Sequence, residues 1–175
     1  MNRVDAGSYY RWVACVFLCA SVAGCAGMGG YTNASLYPSG LSSVYVEMFE
    51  NESFWRGVEY DLSDALSKRI EAETPYKVVS DRDRADSVMS GQIVSVNQTV
   101  LSIEREMGTA LEKEVELRVI VTWKNLTTGE LLVESRSVGA SGSYSALQSQ
   151  SFKYASRIAA NNLASRIVEL METQW

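Results

Sequence analysis

Residues 112–124, EKEVELRVIVTWK, decide the fold. Val115, Leu117, Val119, Val121 and Trp123 occupy every second position and alternate with Glu116, Arg118, Ile120, Thr122 and Lys124. Successive side chains of an extended chain point to opposite faces, so this segment is a strand with one face buried and the other largely wet. Such a strand needs an apolar layer on one side only. Its neighbours in sequence are also strands: 87–104 before it, joined through a hairpin tip at 105–111 around Gly108, and 130–138 after it, across a turn from Asn125 to Gly129. Gly91 marks either a bulge or a close approach in the long strand. Further out, 43–49 (SVYVEMF) alternates with Val44, Val46 and Met48 on one face, and 76–80 (YKVVS) is a short strand suited to an edge. The run 81–86 (DRDRAD) is a solvated turn of compensating charges.

The covering layer comes from two segments of helical period. Val58, Leu62, Ala65, Leu66 and Ile70 recur at three- and four-residue spacing and predict a helix over 55–73, with Lys68 and Arg69 near its C-terminal end and Pro75 stopping it. Ala155, Ile158, Ala159, Leu163, Ile167, Leu170 and Met171 predict a second helix over 150–173. The stretch between, 139–149 (GASGSYSALQS), is expected to be a loop of small residues. The order is β-α-β-β-β-β-α. Two amphipathic helices and a half-buried sheet satisfy one another when both helices cover the same face, which predicts an α+β two-layer sandwich with a mixed sheet. The apolar residues are expected to be consumed by that one core, leaving loops 105–111 and 139–149 small and polar.

The amino terminus has a different character. Arg3 and Arg11 precede an apolar stretch, 12–20, of signal-peptide length, and Val22-Ala23-Gly24-Cys25 follows. This resembles a bacterial lipobox, in which small residues admit the backbone to a peptidase and the thiol accepts a diacylglycerol. The expected organisation is a lipoprotein signal peptide at 1–24, a lipidated tether at 25–40 rich in Gly, Ser and Asn, and one α/β domain at 41–175. Cys25 is the expected attachment point for acyl chains, which hold a protein at a membrane through buried methylenes. Ala26 stands where aspartate would favour retention at the inner membrane, which directs the expectation to the outer membrane.

Composition narrows the chemistry. The formal charge is −5 and no long basic run occurs, so nucleic acid is not an expected partner. Histidine is absent, which removes the commonest general base and metal ligand. No phosphate-binding loop, nucleophile elbow or paired-cysteine motif is present. Glu112, Glu114 and Glu116 share one strand face and read as a solvated surface rather than a catalytic pair. Neither an enzyme nor a bound metal or cofactor is expected.

Several features fall in an order that resembles a known family. Gly29-Gly30-Tyr31 follows the lipobox cysteine, and Leu36-Tyr37-Pro38 comes next. A first strand ends in Phe49-Glu-Asn51-Glu-Ser53, and a helix contains Leu62-Ser-Asp-Ala-Leu66. Then come Tyr76-Lys-Val-Val79, Ala85-Asp86-Ser-Val-Met-Ser-Gly91, and a turn at Leu126-Thr-Thr-Gly-Glu130 before a small-residue-rich final helix. The sequence resembles the lipopolysaccharide-assembly lipoproteins of the LptE family over nearly all of the chain after Cys25. The resemblance implies a non-enzymatic outer-membrane lipoprotein that plugs a large β-barrel of the LptD type, supports its assembly and contacts lipopolysaccharide. It implies that basic residues on the long hairpin make that contact. The candidates here are Arg105 and Lys113. The motifs Phe-x-Asn-x-Ser and Ala-Asp-x-x-x-x-Gly also occur in other envelope lipoproteins, so a subunit of a curli-type channel or an auxiliary component of a transporter is the alternative.

Overall fold

A computed structural model describes residues 35–104 and 110–172. The expected signal peptide at 1–24, Cys25, most of the expected tether and Arg105 at the hairpin tip 105–109 lie outside the described residues. Six strands and two helices follow in the order β1 (Ser43–Val46), β2 (Glu50–Asn51), α1 (Val58–Glu73), β3 (Lys77–Val79), β4 (Ser87–Ile103), β5 (Ala110–Asn125), β6 (Leu131–Ser145) and α2 (Phe152–Glu169). They form a mixed sheet in the order β3-β1-β4-β5-β6, with β2 also paired to β4. β1 runs parallel to both β3 and β4, and β4, β5 and β6 form an antiparallel meander. This is the expected α+β sandwich with both helices on one face.

The alternation of β5 is realised in full. Val115, Leu117, Val119, Val121 and Trp123 are buried, Arg118 and Lys124 are exposed, and Ile120 is half-buried. The helical stripe Val58, Leu62, Ala65, Leu66 and Ile70 is buried against this face. The helices run side by side in the same direction, tied by Arg157 to Asp61 at 3.9 Å near their starts and by Arg69 to Ser165 Oγ at 3.3 Å near their ends. Pro75 forces its predecessor out of helical geometry: Thr74 is extended, and its hydroxyl donates to the Ile70 carbonyl at 2.6 Å. Lys68 and Arg69 do not cap the helix. They bond Asp64 and Glu73, each four residues away and each at 2.7 Å. α1 begins three residues later than the spacing predicts, and α2 is shorter at both ends.

Three differences alter the surface. First, Met48 is exposed and Phe49 takes the core position. Between Val46, opposite Met89, and Glu50, opposite Gln92, the first strand carries one extra residue, and this bulge reverses the alternation. The Phe49 ring lies over Gly91, where a β-carbon would stand 2.5 Å from the ring and 2.6 Å from the Ile120 carbonyl, so Gly91 marks a close approach. Second, 139–145 is not a loop but the second half of β6. α2 passes so near that a β-carbon at Gly142 would meet the Ala155 carbonyl at 2.5 Å and the Ala159 nitrogen at 2.8 Å. Asn162 Nδ2 donates to the Ser141 carbonyl at 2.9 Å, and Arg166 donates to that of Gly139, both on the outer strand of the sheet. Third, β6 carries extra residues between Leu131 and Arg136, where its register against β5 shifts, and Ser135 adopts a left-handed φ of 40°.

Candidate functional site

The molecule has two unlike ends. At one, the described chain begins at Ser35 and crosses the end of α1, where Tyr37 Oη donates to the Glu73 carbonyl and Tyr76 Oη to that of Pro38, each at 3.0 Å. Burial pushes the Tyr76 phenol up to about 12, so it remains a donor throughout the physiological range. Nearby, Asp86 closes the start of β1. Its carboxylate accepts from the backbone nitrogens and the hydroxyls of both Ser42 and Ser43, at 2.6–2.9 Å. These bonds, the Ser42 hydroxyl foremost, hold the carboxyl down at about 2. At the opposite end of α1, Asn51 organises the turn into the helix. Its carbonyl oxygen accepts from the Ser53 nitrogen and hydroxyl, and its amide donates to the Trp55 carbonyl and the Glu59 carboxylate. Phe49, Asn51, Ser53, Asp86 and Gly91, the motif residues noted in the sequence, are therefore structural: they fix the crossing from strand to helix and the neighbouring parallel strand.

At the other end the β4–β5 hairpin runs on past β6. Glu112 pairs with Ser145, the last residue of β6, so the Ile103–Ala110 pair lies past it, and β4 from Thr99 to Ile103 has β5 as its one strand neighbour among the described residues. A strand segment with no helix over it exposes what it carries: Val100, Leu101 and Ile103 are 45%, 51% and 59% exposed. Leu147 is exposed on the 3-10 turn at Ala146–Gln148, which packs beside β5. Phe54 is fully exposed, and Trp55 stacks on Phe152 with ring centres 3.7 Å apart, joining the starts of the two helices. The expectation that one core consumes the apolar residues fails here; of the two loops expected to be small and polar, 139–145 is strand and 105–109 lie outside the described residues. No periodicity argument detects this, because the apolar residues of 99–103 look the same whether or not a helix covers them.

Lys113 lies within this end. It is half-buried, shares the face of Val115 and Leu117 by alternation, and stands opposite Val100 and Tyr144. Tyr144 is buried, and its hydroxyl accepts from Gln98 at 3.2 Å. Glu112, Glu114 and Glu116 take the opposite face of β5, and Glu116 bonds Arg118 at 2.9 Å. Arg105 and Cys25 fall outside the described residues, so Lys113 alone of the three expected site residues is placed. Among the described residues no group of acidic or cysteine side chains is arranged to hold a metal ion, and no helix is long and apolar enough to cross a membrane.

A family model described as "LptE: Lipopolysaccharide-assembly" matches residues 41–174. No curated protein matches the chain. Solved structures share the fold. An uncharacterized lipoprotein B from Nitrosomonas europaea is 16% identical with a TM-score of 0.52, over 81% of this chain and 89% of that one. A PelC dodecamer from Paraburkholderia phytofirmans is 12% identical with a TM-score of 0.51, over 80% and 96%. A hypothetical protein from Chlamydia trachomatis is 12% identical with a TM-score of 0.51, over 73% and 94%. At these identities the likeness is one of fold.

Proposed function

The chain belongs to the LptE lipopolysaccharide-assembly family, and from that premise we propose that it is an outer-membrane lipoprotein that plugs an LptD-type barrel and supports its assembly. The family is one of non-enzymatic, lipid-anchored envelope proteins that work with such a barrel, and we read this member as acting by contact, without a catalytic group. Cys25 carries the acyl chains once residues 1–24 are removed, and residues 25–40 serve as the tether. The observation that carries the proposal is the hairpin end, where Val100, Leu101 and Ile103 project beyond the helical layer and stay exposed. Apolar surface gathered in one place on a folded domain marks a partner site. The remaining sheet face is polar and matches the polar interior of large outer-membrane barrels. Lys113, and Arg105, which the sequence puts at the hairpin tip, serve as the lipopolysaccharide contacts, Arg105 through the paired hydrogen bonds a guanidinium offers a phosphate.

Depleting the protein should lower the amount of mature barrel and raise permeability to hydrophobic toxins. Cys25→Ser should abolish acylation and membrane fractionation. Arg105→Glu should weaken lipopolysaccharide binding and leave barrel binding intact. Normal barrel levels after depletion would remove the plug reading. A second reading, a subunit of another envelope machine, has one observation in its favour: the fold is shared with a protein that forms a dodecamer. A stable homo-oligomeric ring in solution, in place of a monomer, would decide for it.

A further inference from the structure

A pocket of about 530 Å³ opens at the extra residues of β6, lined by Pro38, Trp123, Leu132, Arg136, Leu170 and Met171 among others. We propose that this pocket binds a single acyl chain whose carbonyl or carboxylate oxygen accepts the Trp123 indole N–H. Two independent features meet there. Trp123 is 1% exposed, and among the described residues its Nε1–H has no hydrogen-bond partner. A buried indole N–H ordinarily finds an acceptor, and leaving one unpaired is costly. Tyr76, packed edge-on against the Trp123 ring at 5.6 Å, donates its hydroxyl to the Pro38 carbonyl, and its oxygen does not bond the indole N–H. The irregularity in β6, with Ser135 at a left-handed φ, is the kind that re-aims side chains beside a site, and Leu132, Val133 and Arg136 around it all line the pocket.

The lining specifies the ligand. Leu132 and Leu170 offer an apolar wall beside the polar groups of Glu134, Arg136 and Glu172, and the volume lies within the range of small-molecule sites. Arg136 lines the pocket, is exposed and, among the described residues, forms no salt bridge, so its guanidinium is the group we assign to a ligand carboxylate. Glu134 and Glu172 also line the pocket, which disfavours a phosphate or other polyanion and leaves a carbonyl or a single carboxylate. The proposal draws on the family reading only in placing acyl lipids within reach, and it requires no barrel.

The test uses the full chain with ¹⁵N-labelled tryptophan, placed in nanodiscs of diether phospholipid, which lacks acyl carbonyls, or of diester phospholipid. Trp123→Phe assigns the Trp123 indole signal, and Trp55, at the far end, is the reference. Dodecanoate added to the diether discs should shift the Trp123 signal saturably and leave Trp55 still. Arg136→Ala should weaken that binding about tenfold, or about 1.4 kcal/mol. A Trp123 shift between diether and diester discs before any dodecanoate is added identifies membrane lipid as the source, whereas a shift seen only with dodecanoate identifies the free acid. A Trp123 signal indifferent to both, or moving in step with Trp55, overturns the proposal. Unchanged dodecanoate affinity in Arg136→Ala overturns the role given to that guanidinium. Barrel levels in the depletion experiment are unaffected by either result, so the two readings fail separately.

Discussion

The two ends of the sheet are built on different principles. Where β1 starts beside the end of α1, polar side chains bind across the chain at short range: Asp86 takes four hydrogen bonds from two serines, and Tyr37 and Tyr76 donate to the Glu73 and Pro38 carbonyls. At the hairpin end only the Gln98–Tyr144 bond ties side chains from different strands among the described residues, and apolar groups face outward. The first end makes the fold, which solved structures 12–16% identical share. The second end is where one such protein can differ from another in purpose.

The comparison is open to attack, beginning with the largest effect. Leu117 is fully buried in the middle of β5, and Leu117→Ala should lower stability by about 2–5 kcal/mol in chemical denaturation. A loss near zero would show that the helices do not seal this face. Gly142→Ala forces a methyl against the backbone of α2 and should cost about 1–3 kcal/mol by the same measurement.

Asp86→Asn should act through pH. The folded carboxyl titrates at about 2 against an ordinary 3.8, so its contribution is complete above pH 4 and is lost as pH falls through 2. The variant should be less stable at neutral pH and lack that part of the acid dependence, as read from denaturation midpoints between pH 2 and 7. An unchanged acid profile would show that the serine hydrogen bonds do not hold this end together. Ile103→Ser, at the hairpin end, should change stability by no more than about 0.5 kcal/mol. It should nonetheless reduce the barrel recovered with the protein on affinity purification. Equal recovery would place the partner surface elsewhere.

Sequence reasoning reached the first end better than the second, for physical reasons. The stripe from Val58 to Ile70 and the alternation from Val115 to Trp123 are periodic because each buries one face, and periodicity is what a sequence displays. Phe49 and Met48 exchanged roles because a single extra residue reverses every later side chain, and that bulge leaves no local mark. The strand 139–145 looked like a loop because Gly and Ser are poor strand formers. Its composition answers instead to the backbone of α2, which leaves no room at Gly142 for even a methyl group. Lys113 and Arg105 were found through family resemblance, since nothing in their local spacing distinguishes them.

The reach of α2 over the edge of β6 also bears on how the protein meets others. An edge strand invites any extended chain to extend the sheet, and through that invitation folded proteins come to stick to themselves. Asn162 and Arg166 occupy the Ser141 and Gly139 carbonyls, so an arriving strand would have to displace an amide and a guanidinium before gaining its first bonds. That guard makes strand addition along this edge costly.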